Sequence, residues 1–271
     1  MPLGSSKNYE IVGDRFLFQC SDYFSVFDYG RLPDQIPGKG ASQMVLAWGI
    51  DQGIKQNLTV RSFIQSLEMR ADGAWIEGQN YPPFDPQKTR TSFDYSAFKK
   101  QKFPKQIPLE VIFRFGAPEG SSFWERADDK TCRQLGVSPC PGAFWGTPFI
   151  EFFSKREPTD RYFPESEVIE KRLLTASQLD LIRETTSTLC LWLKEVFETC
   201  GMRLWDGKFE FGLAEPNQVV LLDSIGLDEL RLEKKGQLYS KEFLRRFYRG
   251  SEWYREVQKR KSEGPGWQQG L

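Results

Sequence analysis

The sequence contains no histidine. This absence excludes serine–histidine and cysteine–histidine catalysis, imidazole metal ligands, and the side chain that most often transfers protons near neutral pH. Any acid–base chemistry must therefore fall to carboxylates, to lysine or to the substrate itself.

The sequence also lacks paired cysteine motifs and long apolar runs. Its five cysteines form no CxxC spacing, and their odd number favours reduced thiols, although Cys132 and Cys140 are near enough in sequence to meet in a loop. No apolar run approaches the roughly 20 residues that a membrane helix needs, and the N-terminus has no apolar signal segment. We expect a cytoplasmic protein.

Charge of one sign is not in excess. Lysine plus arginine and aspartate plus glutamate number 37 each, so no global field favours nucleic acid or a membrane surface. We expect small-molecule partners held by local charge clusters, and no nucleic acid or membrane. A homo-oligomer is compatible with this composition.

The first part of the chain reads as an antiparallel lobe. Alternating apolar residues over 9–28, with Gly13-Asp14 as a turn, predict an opening hairpin. The proline- and glycine-rich stretch 32–40 predicts an ordered loop, and a helix is expected over Ala41–Gly53. Residues 78–105, rich in Pro, Gln, Lys and aromatics, are the best candidate for a connection between lobes.

The second part predicts a larger mixed lobe. A buried strand is expected over 109–115, and residues 125–147 read as a loop-rich excursion. The capping box Thr175–Gln178 predicts a helix ending near Gly201. Residues 202–212 and 219–223 predict a hairpin, and 241–261 an amphipathic basic helix. The class is therefore α+β, divided at residues 1–105 and 106–271.

Two glycine–lysine segments lie near the N-terminus. Gly4-Ser5-Ser6-Lys7 precedes the first strand, and a loop of small residues lets backbone N–H groups approach phosphates while lysine adds charge. Ile36-Pro37-Gly38-Lys39-Gly40 again holds a lysine between glycines. Taken alone, the first also reads as a disordered tail and the second as a simple turn.

Three charged residues share one face of the predicted hairpin. Asp206, Lys208 and Glu210 alternate along a strand and so project to the same side. An antiparallel partner ending at Asp223 can bring this carboxylate near Glu210, and two carboxylates beside a lysine suit Mg²⁺ with nucleotide phosphates. The alternative is a solvated face with charge pairing.

Two arginines have the setting of anion-binding residues. Arg114 ends an apolar strand before a glycine–serine turn, and Arg231 follows Asp228-Glu229-Leu230. A guanidinium suits carboxylate or phosphate. A structural ion pair is the alternative for both.

In their order along the chain, these segments resemble the SAICAR synthetase family. The series is the glycine–lysine loop, Ser-x-Phe-Asp at 25–28, Ile-Pro-Gly-Lys-Gly, Glu-x-x-x-Arg at 110–114, Asp-x-Lys-x-Glu-Phe-Gly at 206–212, and a strand closing in Asp223. The resemblance covers residues 4 to about 250. It implies a two-lobed fold with an ATP cleft between the lobes, and an ATP- and Mg²⁺-dependent ligase that forms an amide through an acyl phosphate.

The resemblance also implies roles for particular residues. Those implied for the nucleotide are Gly4, Ser5, Ser6, Lys7, Lys105 and Glu110, with Glu210 and Asp223 as ligands of Mg²⁺. Those implied for the substrates are Ser25, Asp28, Lys39, Arg114, Ser121, Lys155, Asp160, Lys208 and Arg231, with Asp206, Lys208 and Arg114 at the catalytic centre.

The sequence departs from the family pattern in places that bear on substrate choice. The segment after Lys155, which the family associates with aspartate, is rewritten as Thr159–Pro164, and Leu230 replaces a serine beside Arg231. The first hypothesis is SAICAR synthesis from carboxyaminoimidazole ribotide and L-aspartate. A diverged ligase for another acid or amine is the alternative, and a nucleotide-binding protein without catalysis is the third.

Overall fold

A computed structural model describes residues 6–25, 31–83, 87–88, 93–118, 121, 123–124, 126–127, 129–138, 140–157 and 160–261. In chain order the elements are β1 (Lys7–Val12), β2 (Arg15–Cys20), β3 (Tyr23–Ser25), β4 (Arg31–Gln35), α1 (Lys39–Asn57), β5 (Ile64–Arg70), β6 (Gly73–Gln79), β7 (Gln87–Lys88), β8 (Phe93–Asp94), α2 (Ser96–Lys100), β9 (Lys105–Gly116), α3 (Asp129–Leu135), β10 (Phe144–Ser154), α4 (Glu165–Glu170), α5 (Ala176–Thr199), β11 (Arg203–Glu215), β12 (Gln218–Leu222), β13 (Leu230–Lys234), β14 (Gln237–Tyr239), α6 (Lys241–Arg249) and α7 (Glu252–Lys261).

The N-terminal part is a four-stranded antiparallel sheet in the order β1-β2-β6-β5. The predicted opening hairpin is confirmed, with Gly13 at φ 64° in its turn. One face packs on α1 through a core that includes Phe18, Met44 and Ile76. Val220 of β12 joins the same core, so this sheet is in contact with the rest of the protein.

The larger sheet has six strands. Five lie in the order β10-β9-β11-β13-β14, and β12 pairs with β11. The observed pairings are antiparallel, as the α+β class predicts. One face packs on α5, where Phe113 and Phe209 meet Leu189 and Leu193. Side chains alternate along each strand, so the other face is left for charged residues.

Helix α5 forms as the sequence predicts. Thr175 accepts a hydrogen bond from the Gln178 backbone, and the Gln178 side chain accepts one from the Thr175 backbone. The helix ends at Thr199, and Gly201 takes the left-handed conformation that follows many helices (φ 68°). The predicted hairpin of β11 and β12 is also confirmed.

Several predicted boundaries were wrong. Helix α1 is longer than expected, and β4 occupies part of the expected loop 32–40. The excursion 125–147 contains α3 and the start of β10. The single C-terminal helix is two helices, because the Ser251 hydroxyl accepts the Tyr254 N–H and so caps a new helix after Gly250.

The five cysteines are free thiols. Among the described residues, no helix is both long enough and apolar enough to cross a membrane.

Candidate active site

The charged face of the larger sheet carries an ordered row of side chains. Asp206 of β11 lies opposite Arg114 of β9, and Glu210 lies opposite Glu110. Directly opposed residues of antiparallel strands share a face. The four-residue step from Asp206 to Glu210 spans ~13 Å at about 3.3 Å per residue, so the row has two separate ends.

One end of the row is rich in arginine, and we call it the arginine end. Arg114 donates from Nε to Glu151 (2.6 Å) and from a terminal nitrogen to Asp206 (3.4 Å). Arg231 of β13 donates to the same Asp206 oxygen at 2.7 Å. Arg114, Glu151 and Asp206 are buried, so strong ion pairing is needed to hold these charges there.

Lys208 occupies the middle of the row. Its ammonium donates to Glu110 at 2.8 Å. Burial alone would lower the pKa of Lys208, but the charges of Glu110 and Glu210 raise it well above the ordinary value. Burial alone would raise the pKa of Glu110, but Lys208 and Lys155 lower it. The pair is therefore ionised at neutral pH.

The other end, the carboxylate end, holds Glu210 and Asp223. Glu210 accepts a hydrogen bond from Gln106 at 3.1 Å and forms an ion pair with Lys155. The register places Leu222, one residue before Asp223, opposite Glu210. Asp223 lies just beyond the strand at φ 66° and forms an ion pair with Lys7.

Lys7 connects Asp223 to a further acid. Its ammonium lies 3.5 Å from Glu229. Burial alone would raise the pKa of Asp223, but Lys7 and Lys155 hold it well below its ordinary value. Burial, opposed by Lys7 and reinforced by Asp223, raises the pKa of Glu229. Burial alone would lower the pKa of Lys7, but Asp223 and Glu229 raise it.

The donor chemistry of the carboxylate end suits Mg²⁺. Lys155 forms an ion pair with Glu210, and its charge lowers the pKa of Asp223, so both carboxylates already interact with one cation. Among the described residues, no cluster of three or more acidic, cysteine or histidine side chains forms a closed metal site. Mg²⁺ is commonly held by one or two carboxylates together with water and substrate phosphates, which this pair can supply.

The glycine–lysine loop at 36–40 is built around Asp22. The Asp22 carboxylate accepts hydrogen bonds from the Gly38 (3.2 Å) and Gly40 (2.8 Å) backbones. Gly38 has φ 82°, and a Cβ on Gly40 would overlap the Cys20 carbonyl oxygen. Lys39 is thereby directed at Asp228, 2.9 Å away.

A sequence model of the SAICAR synthetase family matches residues 5–261. The phosphoribosylaminoimidazole-succinocarboxamide synthase of Thermotoga maritima is 35% identical over 251 residues, which are 90% of this chain and 89% of that protein. The chain belongs to the SAICAR synthetase family. The family consists of ATP-dependent ligases that form SAICAR in purine biosynthesis.

Other members of the SAICAR synthetase family are similar in sequence or in fold. The synthase of Thermoplasma acidophilum is 28% identical over 278 residues, covering 96% of this chain and 87% of that protein. The structure of a SAICAR synthetase (Type-2) in complex with ADP has a TM-score of 0.65 at 19% identity and covers 97% of both chains. The Saccharomyces cerevisiae SAICAR synthase structure complexed with SAICAR has a TM-score of 0.62 at 19% identity, covering 91% of this chain and 82% of that one. These structures confirm the fold.

Other residues implied by the likeness to SAICAR synthetase lie outside the row. Lys105 is directed at the Phe98 carbonyl oxygen (3.2 Å) and lies over the Phe98 ring, and burial lowers its pKa. Ser121 is buried, with its hydroxyl accepting from the Phe123 backbone. The Ser6 carbonyl oxygen accepts the Ser21 N–H, and Asp160 is exposed.

Some predicted residues cannot be compared with the row. Gly4, Ser5 and Asp28 lie outside the described residues, and only the backbone of Ser25, at the end of β3, is described.

Sequence reasoning missed two acids of the site, Glu151, which is buried, and Glu229, which is partly buried. Glu151 had a usable signal, since it is the lone charge between Phe149-Ile150 and Phe152-Phe153 and buried charges need partners. For Glu229, the sequence offered no signal other than its position next to Asp228. Its contact with Lys7 joins residues far apart in the sequence.

The rewritten segment after Lys155 is organised by Arg161. Its guanidinium pairs with Glu157 (2.6 Å) and Glu167 (2.7 Å) and lies over the Phe163 ring. Tyr95 donates to Glu157 at 2.8 Å. Arg161 therefore has a structural role, because it holds Glu157 and Glu167 together.

Proposed function

We propose that this chain joins L-aspartate to carboxyaminoimidazole ribotide as an amide, with conversion of ATP to ADP and phosphate. The observation that carries the proposal is the ordered row on the larger sheet, with paired carboxylates at one end and arginines at the other. Such a row suits a substrate with two anionic groups beside a nucleotide. Membership in the SAICAR synthetase family supports the same reaction.

We assign the nucleotide phosphates to the carboxylate end. Lys7 supplies a cation there, and Glu210 and Asp223 are the ligands for Mg²⁺. Bound Mg²⁺ would neutralise charge on the transferring phosphoryl group. Lys7 and Lys155 form ion pairs with these acids in this structure. When Mg²⁺ binds the acids, the two lysines are released and can contact phosphate. One structural relative was solved in complex with ADP, in keeping with this assignment.

The ribotide would lie along the row with its carboxylate toward Lys208. One carboxylate oxygen attacks the γ-phosphorus, the bond from that phosphorus to ADP breaks, and the carboxylate becomes an acyl phosphate. The aspartate amine then attacks that carbon, loses a proton, and expels phosphate, which carries one oxygen of the original carboxylate. Lys208 and Arg114 stabilise the anionic groups, and Asp206 orients Arg114 and Arg231. These steps need no imidazole.

The proposed nucleotide side also includes Lys105, Glu110 and Ser6. The proposed substrate side also includes Ser25, Asp28, Lys39, Ser121, Lys155 and Asp160. We keep the division into lobes at residues 1–105 and 106–271 as part of the proposal, since β9 begins at Lys105. A cytoplasmic location is likewise proposed, because the reaction uses free ATP and amino acid.

A second candidate function is ligation of a different amine. It is favoured by the rewritten loop, in which Arg161 is committed to Glu157 and Glu167. Leu230 is buried in the core of the larger sheet and does not bear on the choice of amine. A lost polar contact costs on the order of 1–3 kcal/mol. Such a loss can change the preferred amine while the ATP-binding groups remain.

The test is an ADP-release assay with the full chain. We expect ADP only when ATP, Mg²⁺, the ribotide and aspartate are all present, and mass spectrometry should detect SAICAR. ADP release with other amines but not with aspartate would favour the second candidate. ATP binding without turnover across a broad panel of acids and amines would contradict the ligase assignment.

A further inference from the structure

Glu151 lies between two guanidinium groups. It is 4% exposed in the middle of β10. Its Oε2 accepts from Arg114 Nε and its Oε1 from Arg126, both at 2.6 Å. Each carboxylate oxygen thus holds a different arginine, which fixes the two guanidinium groups on either side of one acid.

Arg126 is anchored from several directions. Its guanidinium lies 5.0 Å from the ring centre of Phe153 and 5.4 Å from that of Tyr162. Its backbone N–H donates to the carbonyl oxygen of Phe123, a residue of the small aromatic core around Trp145. The side chain is still 29% exposed, so it is ordered and accessible to a ligand.

At the arginine end, the ion pairs between described residues join three guanidinium groups to two carboxylates. Arg114, Arg126 and Arg231 share the two acids Glu151 and Asp206 in their ion pairs. The acids are the more buried members, whereas Arg126 and Arg231 reach the surface. The buried acids hold the more exposed guanidinium groups in place. Together they form a site that favours an anion with several acceptor oxygens.

The distance between the carboxylate end and the arginine end of the row indicates which anion binds to the arginines. The reacting carboxylate must lie near the nucleotide, toward Glu210, and Asp206 is ~13 Å away along the strand. The far end of the same substrate therefore reaches the arginines. In the ribotide, that end is its phosphomonoester.

We propose that Glu151 is a positioning residue that fixes Arg114 and Arg126 as a two-armed clamp for the substrate's phosphate, with Arg126 a direct phosphate contact. The proposal rests on the function proposed above for the identity of the substrate. The clamp itself is a property of the three side chains.

The test measures phosphate binding apart from catalysis. Ribose 5-phosphate is titrated calorimetrically into the full chain without ATP, and steady-state kinetics are measured separately. The variants are Glu151→Gln, Glu151→Asp and Arg126→Gln. The control is Glu165→Gln, which removes an acid paired with Arg183 on the protein surface.

We expect Arg126→Gln and Glu151→Gln to weaken ribose 5-phosphate binding by roughly ten- to a hundredfold, as for loss of a charged hydrogen bond. The KM for the ribotide should rise similarly, with kcat and the KM for ATP little changed. Glu151→Asp should recover part of the affinity, and the control should match wild type. Arg126→Gln remains informative if Glu151→Gln does not fold, because it leaves Glu151 paired with Arg114.

Equal or tighter binding in Arg126→Gln would overturn the clamp, as would a wild-type chain that fails to bind ribose 5-phosphate at millimolar concentration. Glu151→Gln makes the pocket more positive, so tighter binding there would show charge, and not position, to be the role of Glu151, and would overturn the positioning claim. Phosphate binding that depends on Arg126 in a chain that releases no ADP would support the clamp and contradict the proposed function.

Discussion

Lys7 and Asp223, which are 216 residues apart in the sequence, form an ion pair that joins the first strand to the loop after β12. The contact connects the N-terminal sheet with the carboxylate end of the charged row. In the proposed reaction, it is also the contact that the nucleotide phosphates and Mg²⁺ replace. In the proposed reaction, Asp223 would therefore serve both the ligand-free protein and the catalytic complex.

Replacement of Asp223 by asparagine should abolish most turnover. The amide keeps the size of the side chain but binds Mg²⁺ and Lys7 more weakly. We expect a loss of about 10²- to 10³-fold in kcat, as for removal of one group that stabilises charge in a transition state. ADP release at saturating ribotide and aspartate is the measurement. Asp180→Asn, an exposed position on α5, is the control. Wild-type activity in Asp223→Asn would exclude the proposed metal site.

The same pair should make stability depend on pH in the acid range. The folded-state pKa of Asp223 is depressed, so its contribution is present above the unfolded value of about 3.9 and is lost as pH falls through the folded value. The difference in unfolding free energy between wild type and Asp223→Asn should be present at about pH 5 and should shrink as pH falls below about pH 4. Urea unfolding across this range tests it; a difference unchanged at about pH 3 would contradict the ion pair.

Glu229→Gln should stabilise the protein at neutral pH. Burial raises the pKa of Glu229, so the folded state binds its proton more tightly, and stability falls as pH rises from the unfolded value of about 4.3 through the folded one. The neutral amide removes that cost. Thermal unfolding should show a higher Tm for the variant at about pH 7.5 and little difference at about pH 4. An equal shift in Tm at both pH values would point to packing instead of charge. The control is Glu184→Gln, on the exposed face of α5.

Gly40→Ala should disturb the loop that holds Lys39. The added methyl group would overlap the Cys20 carbonyl oxygen, so the loop or β2 must shift and Lys39 would lose its position on Asp228. We expect a loss of more than about 1 kcal/mol in unfolding free energy and reduced activity. Gly49→Ala in the same helix meets no atom within 4 Å, and should be neutral or stabilising by up to about 1 kcal/mol. Similar behaviour of the two variants would contradict the close approach at Gly40.

Sequence patterns predicted the elements whose determinants are local. The capping box and apolar spacing of α5 lie within one segment, and the β11–β12 hairpin needs only a tight turn between two apolar runs. The row of Asp206, Lys208 and Glu210 follows from alternation along one strand. The C-terminal helix was predicted as one piece because apolar spacing continues across Gly250, although Ser251 begins a new helix.

The missed features depend on contacts between distant segments. The place of Glu151 beside Arg114 requires β10 to pair with β9, and the sequence pattern did not predict β10. Arg126 returns to Glu151 from a loop whose conformation depends on its own aromatic core. Alternation can place a charge on a face, but partner strands decide which charge it meets.

The most direct test of the ligase account follows the carboxylate oxygens. The ribotide is labelled with ¹⁸O in its carboxylate and incubated with the full chain, ATP, Mg²⁺ and aspartate, and the released phosphate is analysed by mass spectrometry. An acyl phosphate transfers one carboxylate oxygen to phosphate, so we predict one ¹⁸O per phosphate at complete labelling, with equal amounts of ADP and SAICAR. Release of ADP with unlabelled phosphate, or no ADP at all, would contradict the account.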